Sequence, residues 1–159
     1  MQWLNNGEIM SLRFETALQF TLKWEGGLSN DKDDPGGKTN YGITQETFNR
    51  YFPGRDVSTI SLPEAATIYR NGYWVASGCE SLPIALAVVV FDSAVNCGVS
   101  RAKKWLEQTQ DPKEIIRLRR EYYYRIASTN PKLKKFIKGW VNRLNDLGKL
   151  TDILLQDAL

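Results

Sequence analysis

The 159-residue chain has no histidine. That excludes a Ser-His-Asp triad, a Cys-His pair and any zinc site built on imidazole. Catalysis is left to carboxylates, Lys, Tyr, Cys, Ser or Thr hydroxyls, or a bound cofactor. Cysteine is scarce as well. Cys79 and Cys97, 18 positions apart, are too few for a disulfide scaffold or a four-thiolate metal site. Their apolar surroundings predict free, buried thiols, with a single disulfide as the alternative. The longest apolar run covers only residues 82–91, against about 20 residues for a membrane span. It predicts a buried helix and no stable membrane insertion. No basic segment followed by an apolar stretch opens the chain, so no secretory signal is expected. Residues 1–9 carry no pattern, and Met10 is an alternative start.

What is present is ordinary globular material, 42% hydrophobic and 25% charged. The net charge of +3 is unevenly spread: −4 over residues 1–100 and +7 over residues 101–159. The basic part suits an anionic partner or a solvated helix face. No helix-turn-helix or aromatic-plus-basic strand pattern accompanies it, so nucleic acid is not the expected partner.

The hydrophobic period is helical along most of the chain. Phe14, Ala17, Leu18, Thr21 and Leu22 predict a helix over 13–25, stopped by Gly26-Gly27. Residues 28–43 read as turns with a short hairpin. Thr44 is the expected N-cap of a helix over 45–52, with Ile43 and Phe48 spaced as a hydrophobic staple. Ser61 and Glu64 form a capping box for a helix reaching toward Trp74. Pro83 opens the apolar helix, which should be central because every face of it is apolar. Ser100, Asp111 and Asn130-Pro131 are read as further helix starts, Gly148 as a stop, and residues 150–158 as a short terminal helix. About seven helices with at most a small hairpin predict a mainly α fold. The charge switch places a soft boundary at residue 100, between an active part (1–100) and a basic helical part (101–159), packed as one unit.

The residues most suited to chemistry are Glu25, at a predicted helix end, Asp34, nine positions later, and Thr39, five further on. The acidic loop from Asp31 is not an EF-hand, since Gly42 stands where a bidentate Glu is required. Gly36-Gly37-Lys38-Thr39 lacks the preceding Gly and strand of a phosphate loop. Paired carboxylates fit glycoside hydrolysis better, which needs one protonated and one ionised carboxyl. The partial negative charge of a helix C-terminus favours the protonated form of Glu25. An exposed turn keeps Asp34 ionised, and Thr39 can hold the attacking water.

The run EGG-x6-DPGG-x-TNYGIT resembles the signature of the glycoside hydrolase family 108 muramidases, which include phage endolysins and secretion activator proteins. LPIALAVVVFDSAVNCGVSRAKKWLEQ is similar to that family's central helix and its Asp-x-x-Val-Asn-x-Gly segment. RREYYYRIASTNPKLKKFIKGWVNRLNDL is similar to its C-terminal part, often called a peptidoglycan-binding domain. The resemblance covers residues 13–147. It implies a lysozyme-like fold, peptidoglycan as substrate and no cofactor or metal. It also implies that Glu25 is the general acid, with Asp34 and Thr39 positioning water in an inverting reaction. Inversion places the two carboxyls roughly 6.5–9.5 Å apart. The sequence departs from the family at Leu28, where an aromatic is common, and at NDKDD, which makes Asp33 a rival to Asp34.

Tyr41, Tyr73 and Trp74 are candidate platforms for sugar rings, with core packing the alternative for Trp74. Asn96, in a polar break after the apolar helix, is a candidate donor to a glycan amide. At least one of Tyr122, Tyr123 and Tyr124 should be exposed, as should Lys132, Lys134, Lys135 and Lys138. The expected protein is a monomer acting on the cell wall, reaching it through a pore or a dedicated export route. Lytic transglycosylation and non-catalytic wall binding or export assistance are the competing functions.

Overall fold

The computed structural model describes residues 4, 10–27 and 37–158. Helix α1 spans Leu12–Glu25, with the Ser11 hydroxyl accepting the Phe14 backbone N–H at 3.2 Å. Strands β1 (Thr39–Asn40) and β2 (Ile43–Thr44) form a two-stranded antiparallel sheet, Thr39 opposite Thr44 and Asn40 opposite Ile43. Helix α2 (Gln45–Tyr51) starts on the Thr44 cap, and α3 (Leu62–Tyr69) on the reciprocal Ser61–Glu64 box. A π-helical turn, Arg70–Val75, follows in place of a continued α-helix. Helices α4 (Ile84–Cys97), α5 (Val99–Gln108), α6 (Pro112–Thr129) and α7 (Ile137–Asp157) complete the chain. Seven α-helices and one small sheet among the described residues make the fold mainly α, as the periodicity predicts, and lysozyme-like, as the resemblance implies.

The chain divides into two compact units, Met1–Gly72 and Tyr73–Leu159. The division falls inside the π-helical turn, whereas the charge switch at residue 100 falls within the second unit, beside the α4–α5 junction. The first unit buries Phe14, Leu18, Ile43, Phe48, Val57, Ile68 and Tyr69. In the second, α4 packs against α5, α6 and α7. It is buried continuously from Ala85 to Ala94, which makes it the central helix of that unit.

Two predicted boundaries are corrected. Ser100 does not cap α5. Gly98 alone turns the chain between α4 and α5, so the helix begins at Val99 and Ser100 lies inside its first turn. Gly148 does not end α7. The buried stripe of Leu144, Leu147 and Thr151 runs straight past it, and its burial outweighs the ~1 kcal/mol that glycine costs in a helix interior. Residues 150–157 therefore continue α7. Asn130 caps a 3-10 turn, Pro131–Phe136, that leads into α7. Both cysteines are free; Cys79 is buried and Cys97 half-buried. No described helix is long and apolar enough to cross a membrane.

Candidate active site

The site is built on the turn of the hairpin. Tyr41 and Gly42 join β1 to β2, with φ of 52° and 74°. Two consecutive left-handed residues define a type I′ turn, whose twist matches that of the flanking strands. Tyr41 is the one described non-glycine residue with positive φ. Its conformation is held from below: the buried Tyr69 hydroxyl donates to the Tyr41 carbonyl at 2.6 Å.

Glu25 closes α1 and reaches this same turn. A Cβ on Gly42 would stand 2.7 Å from Glu25 Cβ, 2.7 Å from Tyr69 Oη and 2.8 Å from Glu25 Oε2. Glycine is therefore required twice, for the backbone angle and for the space the Glu25 carboxyl occupies. The carboxyl lies at the C-terminal end of a helix and directly over a tight turn, half-buried. Thr39, on the strand leading into the turn, is also half-buried, and its hydroxyl makes no hydrogen bond among the described residues. Asp34 and its rival Asp33 lie outside the described residues.

The hairpin is anchored to the segment that follows α2. Asn40 Nδ2 donates to the Val57 carbonyl at 3.4 Å, and the Gln45 Oε1 accepts the Val57 backbone N–H at 2.7 Å. Lys38 Nζ pairs with Asp56 at 2.9 Å. That ammonium and the Ser58 backbone N–H hold Asp56 well below the usual carboxylate range. Arg55 clamps Glu64, with Nη2 to Oε1 at 3.1 Å, and keeps the Glu64 carboxyl ionised below its ordinary range.

The remaining candidates belong to the second unit. Trp74 is only 1% exposed, packs edge-on against Phe91 and donates its indole N–H to Glu80 Oε2 at 2.7 Å. It fills the core and offers no face to a sugar. Tyr73 is half-buried. Asn96 is half-buried at the end of α4 and is oriented by a buried chain of polar groups. Asp92 accepts from Arg119 Nη1 at 2.8 Å and from Arg143 Nη2 at 2.7 Å. Arg119 Nε donates to Tyr123 Oη at 2.7 Å, and that hydroxyl in turn bonds Asn96 Oδ1. Because Tyr123 accepts from Arg119, its own proton goes to Asn96. The Asn96 oxygen is thus engaged as an acceptor, leaving its N–H₂ as the group with donors to spare.

Burial alone would raise the Asp92 carboxyl, but the two guanidinium charges overcome it and hold it at about 2. Burial pushes the Tyr123 hydroxyl up and keeps it neutral. It also pushes the Cys97 thiol up, which makes that sulfur a poor nucleophile.

Pattern reading missed Tyr69 and the Asp92–Arg119–Arg143–Tyr123 cluster as supports. Tyr69 sits on an apolar helical stripe, where nothing marks its hydroxyl. The cluster joins residues 27 and 51 positions apart. The Asp-x-x-Val-Asn-x-Gly segment marks Asp92, but nothing local pairs it with Arg119, Tyr123 or Arg143, which lie on other helices.

Comparison with known proteins places the hairpin and Glu25 within a matched family domain. The Glycosyl hydrolase 108 family model matches residues 18–98, just over half of the chain and inclusive of Glu25, the hairpin and Asn96. The solved structure of Brucella abortus SagA is similar, with a TM-score of 0.73 and 25% identity over 89% of this chain and 94% of that one. No curated protein sequence matches. A carboxyl poised over a glycine-made turn, in a lysozyme-like fold, is thus found within a recognised domain: the chain belongs to the glycosyl hydrolase 108 family.

Proposed function

We propose that the protein is an N-acetylmuramidase, hydrolysing the β-1,4 bond between N-acetylmuramic acid and N-acetylglucosamine in peptidoglycan. The observation that carries this reading is the position of the Glu25 carboxyl against Gly42. Glu25 donates its proton to the glycosidic oxygen as the bond to the sugar C1 breaks. Water attacks C1 from the opposite face, and Asp34 takes its proton while the uncommitted Thr39 hydroxyl orients it. The configuration inverts. In the first unit Tyr41 offers a ring face to a sugar; in the second, Tyr73 offers a ring face and the Asn96 N–H₂ a donor for an N-acetyl carbonyl. At Gly26, Gly27 and Gly37 a Cβ would meet nothing within 4 Å, which leaves the backbone there open to an extended polymer. The protein acts at the cell wall after leaving the cytoplasm by a pore or dedicated exporter.

Mass spectrometry of the soluble products from purified peptidoglycan tests the reaction. Free muramic-acid reducing ends are expected, and Asp34→Asn should lower their yield about a hundredfold or more, the scale of general base catalysis. Anhydro-muramic ends, formed equally well by Asp34→Asn, would replace hydrolysis by transglycosylation.

A further inference from the structure

The second unit carries a surface that the active site does not use. Between Glu121 and Asp146 the chain holds no acidic residue. In that interval Arg125, Lys132, Lys134, Lys135 and Lys138 are all exposed, and none forms a salt bridge among the described residues. The same stretch encloses a groove of about 600 Å³ where α6, the 3-10 turn and α7 meet. Tyr124, Ala127, Ile137 and Val141 line the apolar part of the groove, and Lys134 and Lys138 stand at it. Tyr124 is 51% and Phe136 45% exposed. The Phe136 ring is stacked on Trp140 at 5.7 Å, and Trp140 on buried Tyr123 at 4.7 Å. An apolar ring is thus stacked at the surface among cations.

We propose that this face docks on an anionic phospholipid bilayer. Five unneutralised cations are attracted to acidic headgroups, each contributing independently near the surface. The exposed rings and the groove then enter the interfacial layer, where aromatic bodies are favoured and lysine ammonium groups remain in water. A soluble polyanion would satisfy the lysines but would leave Phe136, Tyr124 and the apolar groove walls in water. That difference favours the lipid surface over an acidic wall polymer. The association is peripheral, since the chain offers no described spanning helix. It does not rest on the muramidase reading.

Co-sedimentation of the full-length protein with vesicles tests the proposal. Vesicles of phosphatidylcholine with phosphatidylglycerol should bind it at low salt, and pure phosphatidylcholine should not. The double variant Lys134→Ala, Lys138→Ala should weaken partitioning about 25-fold, roughly fivefold per lysine. Phe136→Ser should weaken it further while leaving the far-UV spectrum intact. Absence of the wild-type protein from anionic vesicles at low salt would overturn the proposal. So would unchanged vesicle binding by Phe136→Ser together with full competition by soluble polyglutamate, which would make the patch a polyanion site.

Discussion

Gly42→Ala perturbs the site at the point where backbone and carboxyl meet. The new methyl group would lie 2.7–2.8 Å from Glu25 and Tyr69 atoms, so the Glu25 side chain must retreat by about 0.7 Å to reach ordinary contact. Overpacking of this kind costs about 1–3 kcal/mol. The left-handed backbone, φ 74°, adds roughly 1–2 kcal/mol for any residue with a Cβ. The expected stability loss is about 2–5 kcal/mol. The expected loss in kcat is about thirty- to a hundredfold, since misplacing a reacting group by 1 Å costs on the order of a hundredfold. Gly54 supplies the control. Its φ is 82°, but a Cβ there meets nothing within 4 Å. Gly54→Ala should therefore show the backbone cost alone, a fall in Tm of roughly 2–8 °C, with turnover of peptidoglycan unchanged. Turbidity loss of a cell-wall suspension and thermal melts of both variants decide the matter. If Gly42→Ala keeps wild-type turnover, or if both variants lose activity alike, the contact with Glu25 has no part in catalysis.

Further expectations follow from the second unit and from the corrected helix. Asp92 is held at about 2 in the folded chain, below its ordinary value. Its contribution is therefore complete above about pH 4 and is lost as pH falls toward 2, on the order of 2 kcal/mol; urea midpoints measured across that interval should show it. Asp92→Asn strands two buried guanidinium groups and should cost about 3–5 kcal/mol at neutral pH, with the acid dependence reduced. Tyr123→Phe removes the acceptor of Arg119 Nε, whose Nη2 already makes no hydrogen bond among the described residues. It should lower stability by about 1–3 kcal/mol in denaturant titration. Gly148→Ala, in a helix interior with open space at its Cβ position, should raise stability by about 1 kcal/mol; a fall in Tm would contradict the continuous α7.

Helix starts were legible where the capping chemistry is local. Thr44, the Ser61–Glu64 box and Asp111 each hold a backbone N–H two or three residues away, a pattern visible in any short window. Gly148 and Ser100 misled because their usual roles are overridden by neighbours: a buried stripe in one case, a single turning glycine in the other. The helix end at Glu25 and a short hairpin within residues 28–43 were legible, since Gly after a helix and a Gly-rich turn segment are strong signals. Their mutual contact was not, because it depends on how α1 approaches the hairpin. The same limit hid the Tyr69 support and the Arg119–Tyr123–Asn96 chain, where hydroxyl and guanidinium groups on apolar helical faces gain their roles only in the packed unit. Trp74 shows the opposite error, an aromatic near the motif that belongs to the core.

The role assigned to Glu25 is tested most directly by Glu25→Gln, which keeps the side chain's size and helix but removes the transferable proton. Initial rates of release of reducing ends from purified peptidoglycan should fall at least a hundredfold, with the thermal melt near that of the wild type. A folded Glu25→Gln protein that releases reducing ends at the wild-type rate would contradict the account.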